Sequence, residues 1–210
     1  MTVRKWILSS ALLAITAMPA FADATTEEYV RTNANDVLAS LNAPDLNSDE
    51  RRAKFQGYMD EFTNLDAVAK FVIGKYAKRF TPEEMDAYLI TFRSYALAVY
   101  EFYFNEYRGR DVKVMGSTDR NARDSIVDTE IVRSDGQELE VRWRVLNRGG
   151  KYQVVDVALN ADGNLIWLAI EQQAQFLSIL DQNNGSVDAL NAKINSMTDE
   201  LIAMRPAEGS

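Results

Sequence analysis

Apolar residues in the first part of the chain recur at intervals of three and four positions, which is the spacing of one face of an α-helix. A first helix is predicted to open at Thr25, with Glu28 completing a capping box, and a second helix to open at Ser48. A short third helix is predicted to have Asp66 as its N-cap and to end near Gly74. The chain therefore begins with a group of helices.

The strongest local signal for a helix begins at Thr81. An N-cap threonine is followed by proline at the first helical position and by Glu84 at the third. The helix is predicted to continue to about Tyr107. Its apolar stripe is rich in aromatic residues, so other parts of the protein must cover it. The stripe consists of Met85, Tyr88, Leu89, Phe92, Tyr95, Ala96, Val99 and Phe102.

At Gly109 the spacing of apolar residues changes to two, which is typical of β-strands. Four strands are predicted, and turns at 134–137 and 147–150 indicate an antiparallel meander. The last strand has apolar residues at both odd and even positions, which is typical of a strand covered on both faces. The predicted strands contain Val112 and Val114, then Val127 to Ile131, then Glu138 to Val145, and finally Tyr152 to Leu159.

The pattern returns to that of a helix at Leu165, and Gly185 separates a final helical segment. Helices, then a meander, then helices predict an α+β fold. In this fold an antiparallel four-stranded meander sheet packs against N- and C-terminal helices. The length of the chain suits a single domain with one hydrophobic core.

The N-terminal segment has the composition of a removable secretory signal. Basic residues precede an apolar run over 6–18, and the small residues of 20–22 suit cleavage by a signal peptidase. The run is shorter than the roughly 20 residues that a membrane-spanning helix needs. We therefore predict a signal peptide over 1–22 and an exported domain over 23–210 without stable insertion in a membrane.

Composition excludes several classes of function. The chain contains no cysteine and no histidine, so Ser-His-Asp and Cys-His hydrolases and histidine-containing metal sites are excluded. Its formal net charge of −8 repels nucleic acid and anionic membranes. We predict no metal, no cofactor and no nucleic-acid partner. An enzyme that uses only Asp, Glu, Lys and Tyr stays open.

Several short motifs follow one another in a moderately specific order. They are Asn64-Leu65-Asp66, Val72-Ile73-Gly74-Lys75-Tyr76, Thr81-Pro82-Glu83-Glu84 followed by Phe92 and Tyr100, Val154-Val155-Asp156-Val157, and Gln175-Phe176 with Ile179-Leu180. In order and spacing they resemble the toluene-tolerance or MlaC family, the periplasmic phospholipid-binding carriers of the Mla pathway. The resemblance covers the chain from about Thr25 to Met204.

The resemblance implies a non-enzymatic carrier in the periplasm. Such a protein shuttles phospholipid between an inner-membrane MCE-domain ABC transporter complex and an outer-membrane lipoprotein complex, and so serves outer-membrane lipid asymmetry. The implied fold has an NTF2-like pocket, in which a curved sheet is backed by helices and acyl chains lie between them.

Four departures from the family pattern leave the identity of the lipid open. Ala77 and Tyr152 stand where the family has tryptophan, and Gln173 stands where it has arginine. The segment 156–165 is one residue longer than its family counterpart. A different, hopanoid-like lipid is therefore an alternative cargo.

A carrier of acyl chains needs a deep apolar pocket. Moving two chains of about 15 methylenes each from a bilayer into water costs roughly 24 kcal/mol, at about 0.8 kcal/mol per methylene. Apolar residues of the long helix can face those of the sheet across such a pocket, although an aromatic stripe is more often closed core. The candidate pocket residues are Val72, Tyr76, Tyr88, Phe92, Tyr95, Val99, Phe102, Val127, Leu139, Val141, Trp143 and Val145.

Two sets of polar residues have alternative interpretations. Asp156 shares the inward parity of Val154, so it is either a catalytic acid working with a pocket tyrosine in a small NTF2-like enzyme or a structural hydrogen-bond acceptor. Arg142 and Arg144 have outward parity and are most simply a solvated face, so no residue is assigned to a lipid headgroup. A lipid-free module that binds protein segments through an apolar face is a third alternative.

Overall fold

The fold is taken from a computed structural model, which describes residues 24–41, 43, 45–104, 111–132, 136–161 and 163–204. The predicted signal peptide, the predicted end of the long helix at Tyr107, the change of period at Gly109 and most of the predicted turn at 134–137 lie outside these residues. Among the described helices, none is long and apolar enough to cross a membrane.

Six α-helices and one short 3-10 helix are described. The second and third helices have asparagine N-caps: the Asn47 side chain accepts from the backbone N–H of Glu50 at 3.0 Å, and that of Asn64 accepts from Ala67 at 3.0 Å. The predicted cap Asp66 therefore lies inside its helix. Thr25 likewise lies within the first helix. The helices are α1 (Ala24–Leu41), α2 (Ser48–Phe62), α3 (Leu65–Val72), the 3-10 helix Gly74–Lys78, α4 (Pro82–Phe104), α5 (Leu168–Gln182) and α6 (Val187–Ala203).

The start of α4 forms as predicted. The backbone N–H of Thr81 donates to Glu84 Oε2 at 2.8 Å, and the backbone N–H of Glu84 donates to Thr81 Oγ1 at 3.2 Å. This reciprocal pair is a capping box that fixes the first turn of the longest helix. The direction in which α4 leaves this turn positions its aromatic stripe against α3, α5 and α6.

The sheet is an antiparallel meander with five strands rather than the four predicted. The additional strand, Asn164–Trp167, pairs with the end of the fourth strand, where the prediction has the start of a helix. Its apolar residues continue directly into the next helix, so no change of period separates the two elements. The strands are β1 (Val112–Asn121), β2 (Asp124–Val132), β3 (Glu138–Arg148), β4 (Lys151–Ala161) and β5 (Asn164–Trp167).

A β-bulge interrupts the pairing of β3 with β4. Val145 pairs with Val154 and Arg144 pairs with Asp156, so Val155 is an extra residue. Residues that pair directly lie on the same face of a sheet, whereas successive residues alternate. Asp156 therefore lies on the face of Arg144, opposite to Val154. The prediction that Asp156 and Val154 lie on the same face of the sheet is wrong, because the extra residue of the bulge places them on opposite faces.

The apolar core consists of two clusters. The first cluster lies between one face of the sheet and helices α1 and α2, and it includes Phe62, Trp143 and Val154. The second cluster joins the 3-10 helix with α3, α4, α5 and α6, and it includes Tyr88 and Phe176, both of them fully buried. The space between the two clusters is where the candidate site lies.

Candidate functional site

An apolar cavity of about 540 Å³, partly open to solvent, lies between the two core clusters. Its walls come from Thr63 at the C-terminal cap of α2, from α3, from the middle of α4, from the bulge of β4 and from the start of α5. Most of the lining is aliphatic or aromatic. The lining residues are Thr63, Leu65, Val68, Val72, Phe92, Tyr95, Ala96, Val99, Tyr100, Val154, Val155, Asp156, Val157, Leu168, Ala169 and Gln172.

The tyrosine rings of the cavity are neutral apolar walls. Burial raises the pKa of Tyr95 to about 12, and burial, followed by the charge of Asp156, raises the pKa of Tyr100. Near neutral pH both phenols therefore keep their protons. The side-chain oxygen of Gln172 is buried and accepts no hydrogen bond from the described residues. Apart from this unpaired oxygen, the lining offers mainly apolar surface to a molecule inside the cavity.

Asp156 joins the sheet to a helix at the wall of the cavity. Its Oδ1 accepts from the backbone N–H of Val157 and from that of Ala169, both at 2.8 Å. The Ala169 amide lies in the first turn of α5, where helix N–H groups have no partner within the helix. Burial raises the pKa of Asp156, and the two backbone hydrogen bonds and Arg144 oppose that shift. This geometry favours the structural role over the catalytic one.

Four of the predicted pocket residues line the cavity: Val72 from α3, and Phe92, Tyr95 and Val99 from α4. They share it with Ala96 of the same helical stripe. The helical spacing alone selected them, since residues at intervals of three and four share the face that α4 turns toward β4 and α5.

Three other predicted residues from the helical part lie elsewhere. Tyr88 is closed core and donates a hydrogen bond to the Ala69 carbonyl at 2.9 Å. Tyr76 is buried beside α5 and donates to Asp181 Oδ1 at 2.7 Å. Phe102 is half-buried near the end of α4, with its ring against Tyr103.

The five predicted residues of the sheet are not part of this cavity. Phe62 of α2 lies against Trp143, with ring centroids 5.3 Å apart, so α2 occupies the position where the aromatic face of α4 was expected. Trp143 lines a separate space of about 260 Å³ under α1 and α2. Of the other four, Leu139 packs against the first cluster, and Val127, Val141 and Val145 are buried inside it.

Several residues that line the cavity are not among the pocket residues predicted from the sequence. The bulge places 154–157 in the wall of the cavity, and the late start of α5 places Leu168, Ala169 and Gln172 in the wall beside them. The apolar run of β4 at both parities was the one available signal, because it indicated a strand covered on both faces. A bulge and a four-residue strand leave no periodic trace in the sequence.

A second cavity of about 610 Å³, also partly open to solvent, adjoins the first. The two share Val68, Val155 and Asp156 as lining residues. The remaining lining of the second cavity combines apolar side chains of α3 with two arginines of β3. These residues are Ala67, Phe71, Arg144, Leu146 and Arg148.

Comparison with known proteins agrees with this architecture. A family model described as MlaC protein matches residues 31–196. A solved structure of a phospholipid-binding protein from Ralstonia solanacearum, in complex with a phospholipid, is similar with a TM-score of 0.71 and 20% sequence identity. The match covers 84% of this chain and 98% of that chain, so the two share a fold. A search of curated proteins finds no match.

Proposed function

Because this chain belongs to the MlaC family, we propose that it is a lipid carrier that holds the acyl chains of a phospholipid in the cavity between its two core clusters. The observation that carries the proposal is the cavity itself. It is apolar and lies where the two core clusters meet. The phospholipid complex of the structurally similar Ralstonia protein supports this choice of ligand.

The size of the cavity constrains how a lipid is held. About 30 methylenes, each taking roughly the 30 Å³ of a water molecule, need about 900 Å³. The first cavity has about 540 Å³ even when its opening to solvent is included, so two full chains do not fit in it alone. Part of the lipid must extend into the adjoining cavity of about 610 Å³, or the clusters must separate as the lipid enters.

We further propose that the carrier works in the periplasm. The predicted signal peptide over 1–22 would export it, and the mature chain would begin at Asp23. Its partners would be the inner-membrane MCE-domain ABC transporter complex and the outer-membrane lipoprotein complex implied by the family. Binding alone equilibrates a lipid between membranes, so net transport in one direction requires an energy-consuming partner.

Native mass spectrometry of the exported protein tests the proposal. The full chain is expressed with its own N-terminus in a Gram-negative host and purified from the periplasm without detergent, and bound lipid is then extracted and identified. We expect a mature chain that starts at Asp23 and carries a stoichiometric phospholipid. If the protein carries another lipid class at the same stoichiometry, its cargo is the hopanoid-like alternative rather than a phospholipid. A consistently empty protein, which also fails to take lipid from added vesicles, would refute the carrier function.

A further inference from the structure

The second cavity differs from the first in charge. Its β3 wall carries Arg144 and Arg148, its α3 wall carries Phe71, which is 43% exposed, and its floor is shared with the apolar cavity. An amphipathic molecule whose apolar part occupies the first cavity would therefore have its polar part beside these arginines. The two adjoining cavities thus match the two parts of a lipid molecule, because the first is apolar like the acyl chains and the second has charged residues like those that bind a headgroup.

The arginines around this cavity are unequally neutralised. Arg144 donates from Nε and Nη2 to the two carboxylate oxygens of Asp124, at 3.0 and 2.9 Å. Arg120 also contacts Asp124, at 3.2 Å. One carboxylate is thus shared between two guanidinium groups, of which only that of Arg144 lines the cavity.

Arg148 adds a further charge that is not compensated. Among the residues that the structure describes, none forms an ion pair with Arg148, which is exposed at the end of β3. Of the charged residues that line the cavity, Arg144 is paired with Asp124, and Asp156 is buried and accepts two backbone N–H groups, whereas Arg148 is exposed. An exposed arginine without an ion pair at the mouth of an apolar space favours an anionic ligand.

We propose that the second cavity binds the phosphate group of the lipid whose chains occupy the first cavity, with Arg148 as the principal phosphate ligand and the Asp124-bound Arg144 beside it. This inference rests on the proposed function and goes beyond it by assigning a headgroup site. Arginine suits a phosphate because its planar guanidinium donates two parallel hydrogen bonds to two phosphate oxygens. The carrier would then select anionic phosphate-bearing lipids over uncharged lipids with the same chains.

The substitution Arg148→Gln tests the site, and Arg142→Gln is its matched control. Arg142 lies on the same strand and face and is exposed, but it pairs with Asp128 at 2.8 Å and lines neither cavity. Affinity is measured for dioleoyl phosphatidylglycerol and for dioleoylglycerol, which has the same chains without phosphate. Arg148→Gln should weaken phosphatidylglycerol binding by about three- to tenfold and leave dioleoylglycerol unchanged. Arg142→Gln should change the affinity for neither lipid, and Arg148→Lys should bind phosphatidylglycerol more tightly than Arg148→Gln does.

The outcomes separate this inference from the proposed function. If the wild type binds both lipids and Arg148→Gln binds phosphatidylglycerol as well as the wild type does, the headgroup site is refuted and the carrier function stands. If the wild type binds neither lipid, the carrier function itself fails. Glycerol 3-phosphate is tested alone to separate a lipid phosphate from a free one. Binding of glycerol 3-phosphate as tight as that of the lipid would refute the headgroup assignment in favour of a site for free phosphate esters.

Discussion

Asp156 shows how a single carboxylate can hold two elements together at the edge of an apolar space. Its Oδ1 accepts two backbone N–H groups, one from its own strand and one from the first turn of α5. A carboxylate and a carboxamide oxygen can both accept these bonds, whereas a methyl group cannot. The two hydrogen bonds of Asp156 therefore depend on the oxygen rather than on the charge.

Two substitutions at position 156 should differ for this reason. Asp156→Ala leaves the Ala169 amide buried without an acceptor and should lower the free energy of unfolding by about 1–3 kcal/mol at neutral pH. Asp156→Asn keeps an acceptor oxygen and should lower the free energy of unfolding much less. Urea unfolding of the three proteins measures both changes. An Asp156→Asn variant as unstable as Asp156→Ala would show that the negative charge, not the acceptor, is needed.

The same residue predicts a pH dependence with a definite sign. Burial raises the pKa of Asp156 above its ordinary value of 3.8, so the folded protein binds this proton more tightly than the unfolded chain does. Its contribution to stability is therefore complete below the ordinary pKa and is lost as the pH rises through the raised value. Relative to Asp156→Asn, the wild type should become less stable as the pH rises from 3.8. Unfolding free energies of the two proteins across this range test the sign, and a wild type that gains stability relative to Asp156→Asn would contradict it.

At the scale of elements, helix starts with strong local chemistry follow from the sequence, and short or irregular pieces do not. The capping box at Thr81 forms as predicted, and so do the four long strands and their meander order. β5 could not be predicted, because its four residues merge with the apolar run of α5. Asn64 rather than Asp66 caps α3, since both residue types suit the position and only the local backbone path decides between them.

The candidate site was predictable only in its helical half. Val72, Phe92, Tyr95 and Val99 follow from helical spacing, and they line the cavity. The predicted strand residues do not line this cavity, because α2 packs over the face of Trp143 and because the bulge at Val155 changes which β4 residues face the cavity. Both depend on tertiary packing, which the alternation of apolar residues does not encode.

The capping box of α4 can be tested by itself. Thr81→Ala removes an exposed N-cap side chain and should cost about 1 kcal/mol of unfolding free energy, with no effect on lipid binding by the folded protein. Thr91→Ala on the same helix is the matched control, because Thr91 Oγ1 only donates to the Ala87 carbonyl within the helix. Thr91→Ala should change stability by less than about 0.5 kcal/mol. Chemical denaturation measures both, and equal losses would contradict a capping role for Thr81.

At the scale of the whole molecule, the division of the core into two clusters decides where a ligand can be accommodated. Val127 is fully buried inside the first cluster, whereas Val99 of α4 is only partly buried and faces the space between the clusters. The two valines therefore sit in opposite environments, one filled and one open. Additional atoms at these positions should have opposite consequences.

The same enlargement at both positions tests this difference. Val99→Trp should occupy the cavity and block lipid capture, and it should lower the unfolding free energy less than Val127→Trp does, because position 99 borders open space. Val127→Trp should instead overpack the closed core and cost about 1–3 kcal/mol, with its folded fraction still binding lipid. Denaturation curves and lipid uptake from vesicles are measured for both variants. Normal lipid uptake by Val99→Trp would show that acyl chains do not use this cavity.

The construction of the cavity from side chains of several elements has a consequence for cargo selection. Its lining is mainly apolar and makes non-directional contacts, and the cavity is partly open to solvent, so it can hold hydrocarbon tails that are longer, shorter or kinked. Discrimination among fatty acids of different length or unsaturation should therefore be weak. The polar end of the molecule, lying beside Arg148, would then be the part by which one cargo is preferred to another.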